Sequence, residues 1–270
     1  MKRYVAACSF GKDSMATVIP AKKYKEPLDE VVYCEVMFDE ETSGEVPEHR
    51  DFVYRIAIPR LKRAGIPVHI VRGEKTFVGQ FQHRISGEGR SAGKMWSWPL
   101  CGKCYVQRDL KVRPMDAWKR KHWQGDEIIQ YVGIADDEMD RLARMDSYQY
   151  PTVSLLEKYG VTEDMAMDLC RKHGLLSPIY EFAPRNGCFF CPNAKERELR
   201  HLYDHHPDLW GRLLELQALP EKATELFTRE LRFDEIDAAF RMDDAQLDLL
   251  SEKETIPYDY ERICQNALRP

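Results

Sequence analysis

The sequence predicts an α/β fold in which a twisted parallel sheet carries helices on both faces and is followed by a helical C-terminal lobe. Over the first 150 residues, apolar runs of strand length alternate with stretches of helix length, as expected for right-handed crossovers between parallel strands. Beyond about residue 150 helical periodicity dominates. The 270 residues are 43% hydrophobic and 31% charged, enough apolar material for one large core and an additional lobe.

The first predicted strand covers residues 3–9, and the first helix covers residues 12–24. Asp13 and Ser14 open this helix because short polar side chains suit a first helical turn, and Pro20 is expected to kink it or end it early. The later elements are strand 30–38, helix 47–64, strand 67–71 and strand 126–134. Because ligands of parallel sheets bind at the carboxyl ends of the strands, the loops after the first and fourth strands are expected at one edge.

Helices are predicted for the C-terminal part at 163–172, 195–203, 207–216 and 234–250. We therefore divide the chain into an α/β domain, residues 1–150, and a second part, residues 151–270, which holds a turn-rich link with two cysteines and the helical lobe.

Composition limits the possible functions. A net charge of −5 and a pI near 6.0 argue against a protein whose whole surface binds nucleic acid, although the basic stretches 84–94 and 108–122 remain candidate contacts. No apolar run approaches the roughly 18 residues of a membrane span, and the N-terminal residues lack the apolar region of a signal peptide. We expect a cytoplasmic protein with no membrane partner.

The loop Ser9-Phe-Gly-Lys-Asp-Ser14 follows the first strand and has the properties of an anion-binding turn. Gly11 is expected to supply the freedom in φ that a tight nest of backbone N–H groups requires, and the following helix directs its positive end to the same point. Lys12 adds a positive charge, and the hydroxyls of Ser9 and Ser14 can donate to phosphate oxygens. Asp13 is a candidate for capping the helix or approaching Mg²⁺. The loop does not match Gly-x-x-x-x-Gly-Lys-Ser/Thr.

Two cysteine pairs, Cys101-x-x-Cys104 and Cys188-x-x-Cys191, are separated by 84 residues, counted from Cys104 to Cys188. A reducing compartment disfavours disulfides, whereas four thiolates suit either Zn²⁺ or a [4Fe–4S] cluster. The spacing alone does not choose between them. The isolated cysteines are Cys8, Cys34, Cys170 and Cys264, of which the first three are expected to pack in the core.

The loop Ser9–Ser14 resembles the pyrophosphatase loop of the adenine-nucleotide α-hydrolase (PP-loop) superfamily, usually written Ser-Gly-Gly-x-Asp-Ser, with Phe10 in place of the first glycine. The segment from Cys101 to Pro114 resembles the phosphoadenosine phosphosulfate reductase-like family, near its adenylylsulfate reductase and DNA phosphorothioation sulfurtransferase branches. Residues 133–141 are similar to the family element Gly-Ile-Arg-x-x-Glu-x-x-x-Arg, with Ala135 replacing the first arginine. The resemblance covers roughly residues 3–200.

The resemblance implies a nucleotide site beside an iron–sulfur centre and favours [4Fe–4S] over zinc. The implied nucleotide-binding residues are Ser9, Phe10, Gly11, Lys12, Asp13, Ser14, Gly133, Glu138 and Arg141. Lys12 and Asp13 are the catalytic candidates and Lys111 is a substrate-binding candidate. The implied metal ligands are Cys101, Cys104, Cys188 and Cys191.

The first functional hypothesis is ATP-dependent adenylation followed by sulfur transfer, with Mg²⁺, a sulfur donor such as a cysteine desulfurase, and a nucleic-acid acceptor as possible partners. The second is reduction of adenylylsulfate or its 3′-phosphorylated form, in which relatives use a cysteine in a Glu-Cys-Gly-x-His context. Cys264 lies in Glu-Arg-Ile-Cys-Gln-Asn instead, which disfavours this hypothesis. The third is a zinc-stapled nucleic-acid-binding module. His201, His205 and His206 are not expected to bind a metal, because four thiolates already fill a site.

Overall fold

A computed structural model describes residues 1–100 and 104–253. It contains a five-stranded parallel sheet with the strand order β3-β2-β1-β4-β5, which confirms the predicted α/β fold class. The strands are β1 (Lys2–Ala7), β2 (Glu30–Cys34), β3 (Val68–Val71), β4 (Glu127–Tyr131) and β5 (Thr152–Val153). The chain leaves β1 toward β2 on one side and reaches β4 on the other, so a crevice opens between the carboxyl ends of β1 and β4.

The helices of the first part are α1 (Lys12–Lys23), α2 (Pro47–Phe52), α3 (Ile58–Arg63), α4 (Phe77–Gln82), α5 (Arg113–His122) and α6 (Met139–Leu142). A π-helical turn, Val53–Ala57, joins α2 to α3, and a second π-helical segment, Val106–Val112, leads into α5. The later helices are α7 (Leu155–Lys158), α8 (Glu163–Lys172), α9 (Glu196–His205), α10 (Pro207–Ala218) and α11 (Phe233–Lys253). Short 3₁₀ turns cover Met145–Ser147 and Pro178–Glu181.

Alternate residues of the central strands bury apolar side chains on opposite faces of the sheet. Val31 and Tyr33 of β2 join the core formed with α1, α2, α7 and α8, whereas Val32 joins a smaller core that includes Trp123 and side chains of α5. Burial on both faces is what a parallel sheet requires. Within the described residues, no helix combines the length and apolar character needed to cross a membrane.

A third core, rich in aromatic rings, packs the later helices against side chains from the stretch Val36 to Leu110. Trp98 and Trp210 are almost fully buried there with Phe233 of α11. Phe189 and Phe190, the two residues between the second pair of cysteines, belong to the same core, and Phe190 stacks on Phe77 with ring centroids 3.8 Å apart. The second cysteine pair is therefore anchored by its own intervening residues.

The element bounds differ from the predicted ones in identifiable ways. α1 does not end at Pro20 but continues to Lys23, and the amide of Tyr24 still donates to the Pro20 carbonyl at 2.9 Å. β5 lies just beyond residue 150 and pairs with β4, and α8 packs against α1. The division of the chain at residue 150 stays a prediction.

Candidate nucleotide and cysteine site

A cleft of about 490 Å³ lies where β1 and β4 end, at the switch point of the strand order and within the size range of small-molecule sites. Nine of the sequence-predicted site residues line it: Ser9, Gly11, Lys12, Asp13, Ser14, Lys111, Gly133, Glu138 and Arg141. The structure therefore brings together segments that are up to 132 residues apart, from Ser9 to Arg141.

Phe10 does not line the cleft. Its side chain is fully buried and its ring packs edge-on against Tyr33, with centroids 5.2 Å apart. Its φ of 59° lies in the left-handed region, a genuine outlier for a bulky residue. Gly11, in contrast, has an extended backbone with φ −71° and ψ 168°. The expectation that Gly11 supplies the unusual φ is wrong, because the left-handed residue of this loop is Phe10.

Other atoms nevertheless approach Gly11 and Gly133 closely. A Cβ on Gly11 would lie 3.0 Å from the Tyr180 hydroxyl and 3.3 Å from Cβ of Asn186. A Cβ on Gly133 would lie 2.5 Å from backbone atoms of both Asp13 and Ser14, which is closer than real Cβ contacts allow. Gly133 thus permits the loop after β4 to pack directly on the first turn of α1.

Charged side chains meet at the start of α1. The ammonium of Lys12, which is buried, donates to Asp13 Oδ1 at 2.8 Å and to Glu163 Oε1 at 3.0 Å. Burial lowers the pKa of Lys12, but these two hydrogen bonds raise it more, so the net shift is upward. Burial raises the pKa of Asp13, partly offset by Lys12. Lys12 therefore stays cationic and holds the two carboxylates in place.

Carboxylate oxygens of Asp13, Glu138 and Glu163 lie within 4.8 Å of one another. Glu138 also forms an ion pair with Arg141 at 2.6 Å and accepts a hydrogen bond from the amide of Ala135 at 3.0 Å. Such a set of hard oxygen ligands fits Mg²⁺. Glu163 is not among the site residues predicted from the sequence, because it follows the helix cap Thr162 and carries no local signal of function.

The Ser9–Ser14 loop is supported by three residues that no local sequence signal indicates: His49, Asn186 and Tyr180. Nε2 of His49, a fully buried residue, lies 3.0 Å from the Ser9 carbonyl, and its Nδ1 lies 2.9 Å from Ser177 Oγ. Asn186 donates to the same carbonyl at 3.1 Å. Burial lowers the pKa of His49, so a neutral ring supports the loop. In addition, the Tyr180 hydroxyl accepts from the Lys12 amide at 2.7 Å.

The second cysteine pair lies beside this cleft. Cys188 and Cys191 enclose a tight turn in which the Cys191 amide donates to the Cys188 carbonyl at 3.1 Å. Burial raises the pKa of Cys188 well above its usual range, and the charges of Cys191 and Cys104 raise it further. Cys101 lies outside the described residues.

Two cations connect the cleft with these thiols. Arg185 lines the cleft and donates to Cys191 Sγ at 3.4 Å. Lys111, in the π-helical segment that follows Cys104, lines the cleft as well, and its charge lowers the pKa of Cys188 against the stronger effect of burial. Cys104, Cys188 and Cys191 are three of the four thiols that the sequence predicts as ligands of an iron–sulfur or zinc centre, and the first two pack at the margin of the aromatic core that includes Phe189 and Phe190.

The isolated thiols within the described part of the chain are unsuited to nucleophilic attack. Burial raises the pKa of Cys8 and Cys34 to about 11, and that of Cys170 to about 12. All three are buried, in agreement with a packing role. Cys264 lies outside the described residues.

Three cations of the basic stretch 108–122 form ion pairs with aspartates of the same stretch. Arg108 and Arg113 both form ion pairs with Asp109, at 2.7 and 2.6 Å. Lys119 is buried, with its ammonium 3.7 Å from Asp116. The stretch keeps an excess of positive charge, because its six lysines and arginines face only these two aspartates within it.

No protein-family profile matches the sequence, and no curated protein is significantly similar to it. Among solved structures, the chain is similar to the U34-tRNA thiolase NcsA from Methanococcus maripaludis, described with its [4Fe–4S] cluster. The identity is 12%, the alignment covers 81% of this chain and 72% of the thiolase, and the TM-score is 0.42. A likeness at this level does not assign an activity to the chain.

Proposed function

We propose that the chain is a PP-loop enzyme that activates an acceptor with ATP and then transfers sulfur to it beside a [4Fe–4S] cluster. The observation that carries the proposal is the single cleft bordered by the Ser9–Ser14 loop on one side and by Arg185, which also contacts Cys191, on the other. Nucleotide chemistry and thiolate chemistry would therefore take place within one cavity.

The loop and the first turn of α1 would bind the triphosphate. The amides of Asp13 and Ser14 belong to a first helical turn and have no helical carbonyl available to them, and the helix end favours an anion. Lys12 would move from its carboxylates toward the phosphates, and Ser14 would donate its hydroxyl. Asp13, Glu138 and Glu163 would hold Mg²⁺, which neutralises charge on the phosphate oxygens.

In the proposed reaction an acceptor oxygen attacks the α-phosphorus, the bond to the β-phosphate oxygen breaks, and pyrophosphate leaves. A sulfur nucleophile then bonds to the activated carbon, and AMP departs with the acceptor oxygen. Lys12 would stabilise the charge that develops on the phosphates. Cys101, Cys104, Cys188 and Cys191 would hold the cluster at the edge of the same cleft; with all four thiolates bound it has no free iron position, so it would organise this edge of the cleft.

The test is incubation of the anaerobically purified chain with α-labelled ATP and separate candidate acceptors, namely tRNA, DNA and small metabolites. Formation of AMP and pyrophosphate is expected, whereas formation of ADP would contradict the mechanism. Lys12→Met should abolish turnover. Lys23→Met is the matched control, because Lys23 lies exposed at the far end of the same helix.

Metal analysis distinguishes the cluster from zinc. We expect iron, acid-labile sulfide and visible charge-transfer absorption in the wild type, and their loss in Cys188→Ser. One zinc without iron that is lost in Cys188→Ser, together with no ATP binding, would favour the nucleic-acid-binding module instead.

Sulfonucleotide reduction needs a reactive thiol in addition to the four ligands, and the high pKa values of Cys8, Cys34 and Cys170 exclude ready thiolate formation at these positions. The assay is sulfite release from adenylylsulfate and from its 3′-phosphorylated form. We expect no release from either substrate. Release that Cys264→Ser abolishes would replace sulfur transfer with reduction as the function.

A further inference from the structure

A second group of metal-ligating side chains lies outside the cleft, where α2 meets the C-terminal lobe. Glu48 stands in the first turn of α2, His201 in α9 and His206 directly before α10. Nε2 of His201 lies 2.8 Å from Glu48 Oε1, and Nε2 of His206 lies 2.9 Å from the same oxygen. The three ligand atoms are all within 4.8 Å of one another.

The two imidazoles are held by contacts other than the carboxylate. The His201 ring stacks on Phe182 with centroids 3.6 Å apart and planes within 7°, and His205 stacks on it with centroids 4.3 Å apart. The His206 amide donates to the Leu202 carbonyl at 2.9 Å, which fixes the backbone between α9 and α10. The ligand directions are thus set before any ion binds, as metal sites require.

The carboxylate of Glu48 is only half used within the described structure. Both imidazoles contact Oε1, whereas Oε2 is buried and has no hydrogen-bond partner in residues 1–100 and 104–253. Buried carboxylate oxygens are rarely left without a partner. An ion between the two imidazoles and the carboxylate would engage the carboxylate group to which this unpartnered oxygen belongs.

Against the expectation from the sequence that these histidines bind no metal, we propose that Glu48, His201 and His206 form a binding site for a zinc ion. Two imidazoles and one carboxylate are a known zinc ligand set that leaves a fourth position for water, whereas Mg²⁺ and Ca²⁺ prefer oxygen ligands throughout. The ion would tie α2, the helix that follows β2, to α9 and to the start of α10. The site does not depend on the proposed function of the cleft.

Another group of the same composition provides a matched comparison. Glu30, His69 and His122 also meet, but Nε2 of His69 is 2.6 Å from Glu30 Oε2 whereas Nε2 of His122 is 3.6 Å away. The His122 ring is stacked on Trp118, with centroids 4.3 Å apart. This group is less convergent, so His69→Ala serves as a control that removes a histidine from a similar environment.

The experiment uses the full chain with its cysteine site loaded under anaerobic conditions, titrated with Zn²⁺ against a competing chelator. His201→Ala, His206→Ala and Glu48→Gln should each weaken binding of one equivalent by more than ~100-fold, since loss even of an outer-shell partner costs about 10–100-fold. His69→Ala, which removes a histidine that does not contact the site, should bind as the wild type does. Equal binding by all variants, or loss in His69→Ala alone, would overturn the proposal.

Substitution with Co²⁺ provides a measurement on the unmutated protein. Nitrogen and oxygen ligands give weak visible bands, whereas thiolate ligands add an intense near-ultraviolet charge-transfer band. We expect the first spectrum for the added equivalent and a higher unfolding temperature with Zn²⁺, because an ion that binds only the folded state stabilises it. A thiolate spectrum for that equivalent would place the ion at the cysteines and would refute the site.

Discussion

At Phe10 a buried ring stabilises the fold while a left-handed backbone costs free energy, and substitutions can separate these two effects. The ring is fully buried, so Phe10→Ala should cost ~3–5 kcal/mol of unfolding free energy through lost packing. The backbone is left-handed, with φ 59°, a conformation that costs a residue with a Cβ about 1–2 kcal/mol. Alanine retains that cost, whereas glycine removes it.

We therefore expect Phe10→Gly to be more stable than Phe10→Ala by about 1 kcal/mol, although glycine buries one methyl group less. Phe52 provides the control pair, because it is 3% exposed and has the right-handed φ of −57°. In a right-handed helix glycine is less stable than alanine by about 1 kcal/mol. The glycine-minus-alanine difference should thus change sign between the two positions, by about 2 kcal/mol in total.

The measurement is urea unfolding of the four variants, followed by circular dichroism. With a slope near 3 kcal/mol per molar, 1 kcal/mol moves the midpoint by roughly 0.3 M, which is resolvable. If Phe10→Gly proved less stable than Phe10→Ala, as in the Phe52 pair, the strain at Phe10 would be refuted. Phe10→Gly also yields the Ser-Gly-Gly-Lys-Asp-Ser form of the loop, so it should retain nucleotide binding.

Three further predictions concern single contacts. Gly133→Ala should lose about 1–3 kcal/mol or more of stability through overpacking, because its Cβ would lie 2.5 Å from the first turn of α1. For the same reason it should weaken ATP binding, measured by calorimetry. The control is Gly211→Ala, which should not destabilise the protein because the added Cβ meets nothing within 4 Å. Burial raises the pKa of Asp39, but hydrogen bonds, led by that from Arg212, lower it to about 2. The stability that this carboxylate contributes is present above its unfolded pKa of about 4 and is lost as the pH falls toward 2. In Asp39→Asn the free energy of unfolding should therefore depend less on pH between about 4 and 2. An unchanged pH dependence would contradict the lowered pKa of Asp39. Lys111→Gln should weaken ATP binding by at least about tenfold, the effect of one hydrogen bond to a charged group, as measured by calorimetry on the cluster-loaded protein, and equal affinity would exclude Lys111 from the site.

The sequence predicts the fold well because its signals are local. Residues 163–172 have the predicted bounds of α8, and the apolar strands and intervening helices imply a parallel sheet whose carboxyl edge collects the loops. That topological rule, applied to the Ser9–Ser14 loop and to residues 133–141, is sufficient to place both at one cleft.

The rest of the site depends on tertiary contacts that leave no local pattern. His49 and Asn186 reach the Ser9 carbonyl from sequence distances of 40 and 177 residues, and Glu163 reaches Lys12 across 151 residues. Neither periodicity nor composition signals such contacts. The left-handed φ of Phe10 escapes prediction for a different reason, since sequence rules assign positive φ to glycine, and Gly11 is its neighbour.

Positive side chains in the cleft favour the binding of two anionic groups within one cavity. Cysteine thiolates and a nucleotide triphosphate are both negative, and in a partly desolvated cleft they would repel each other strongly. Lys111 and Arg185 line the cleft and also act on the thiols, through the pKa of Cys188 and the hydrogen bond to Cys191. Cations shared by both groups lower this repulsion, so the loss of Lys111 or Arg185 should weaken nucleotide binding more when the cysteines are loaded than when they are empty.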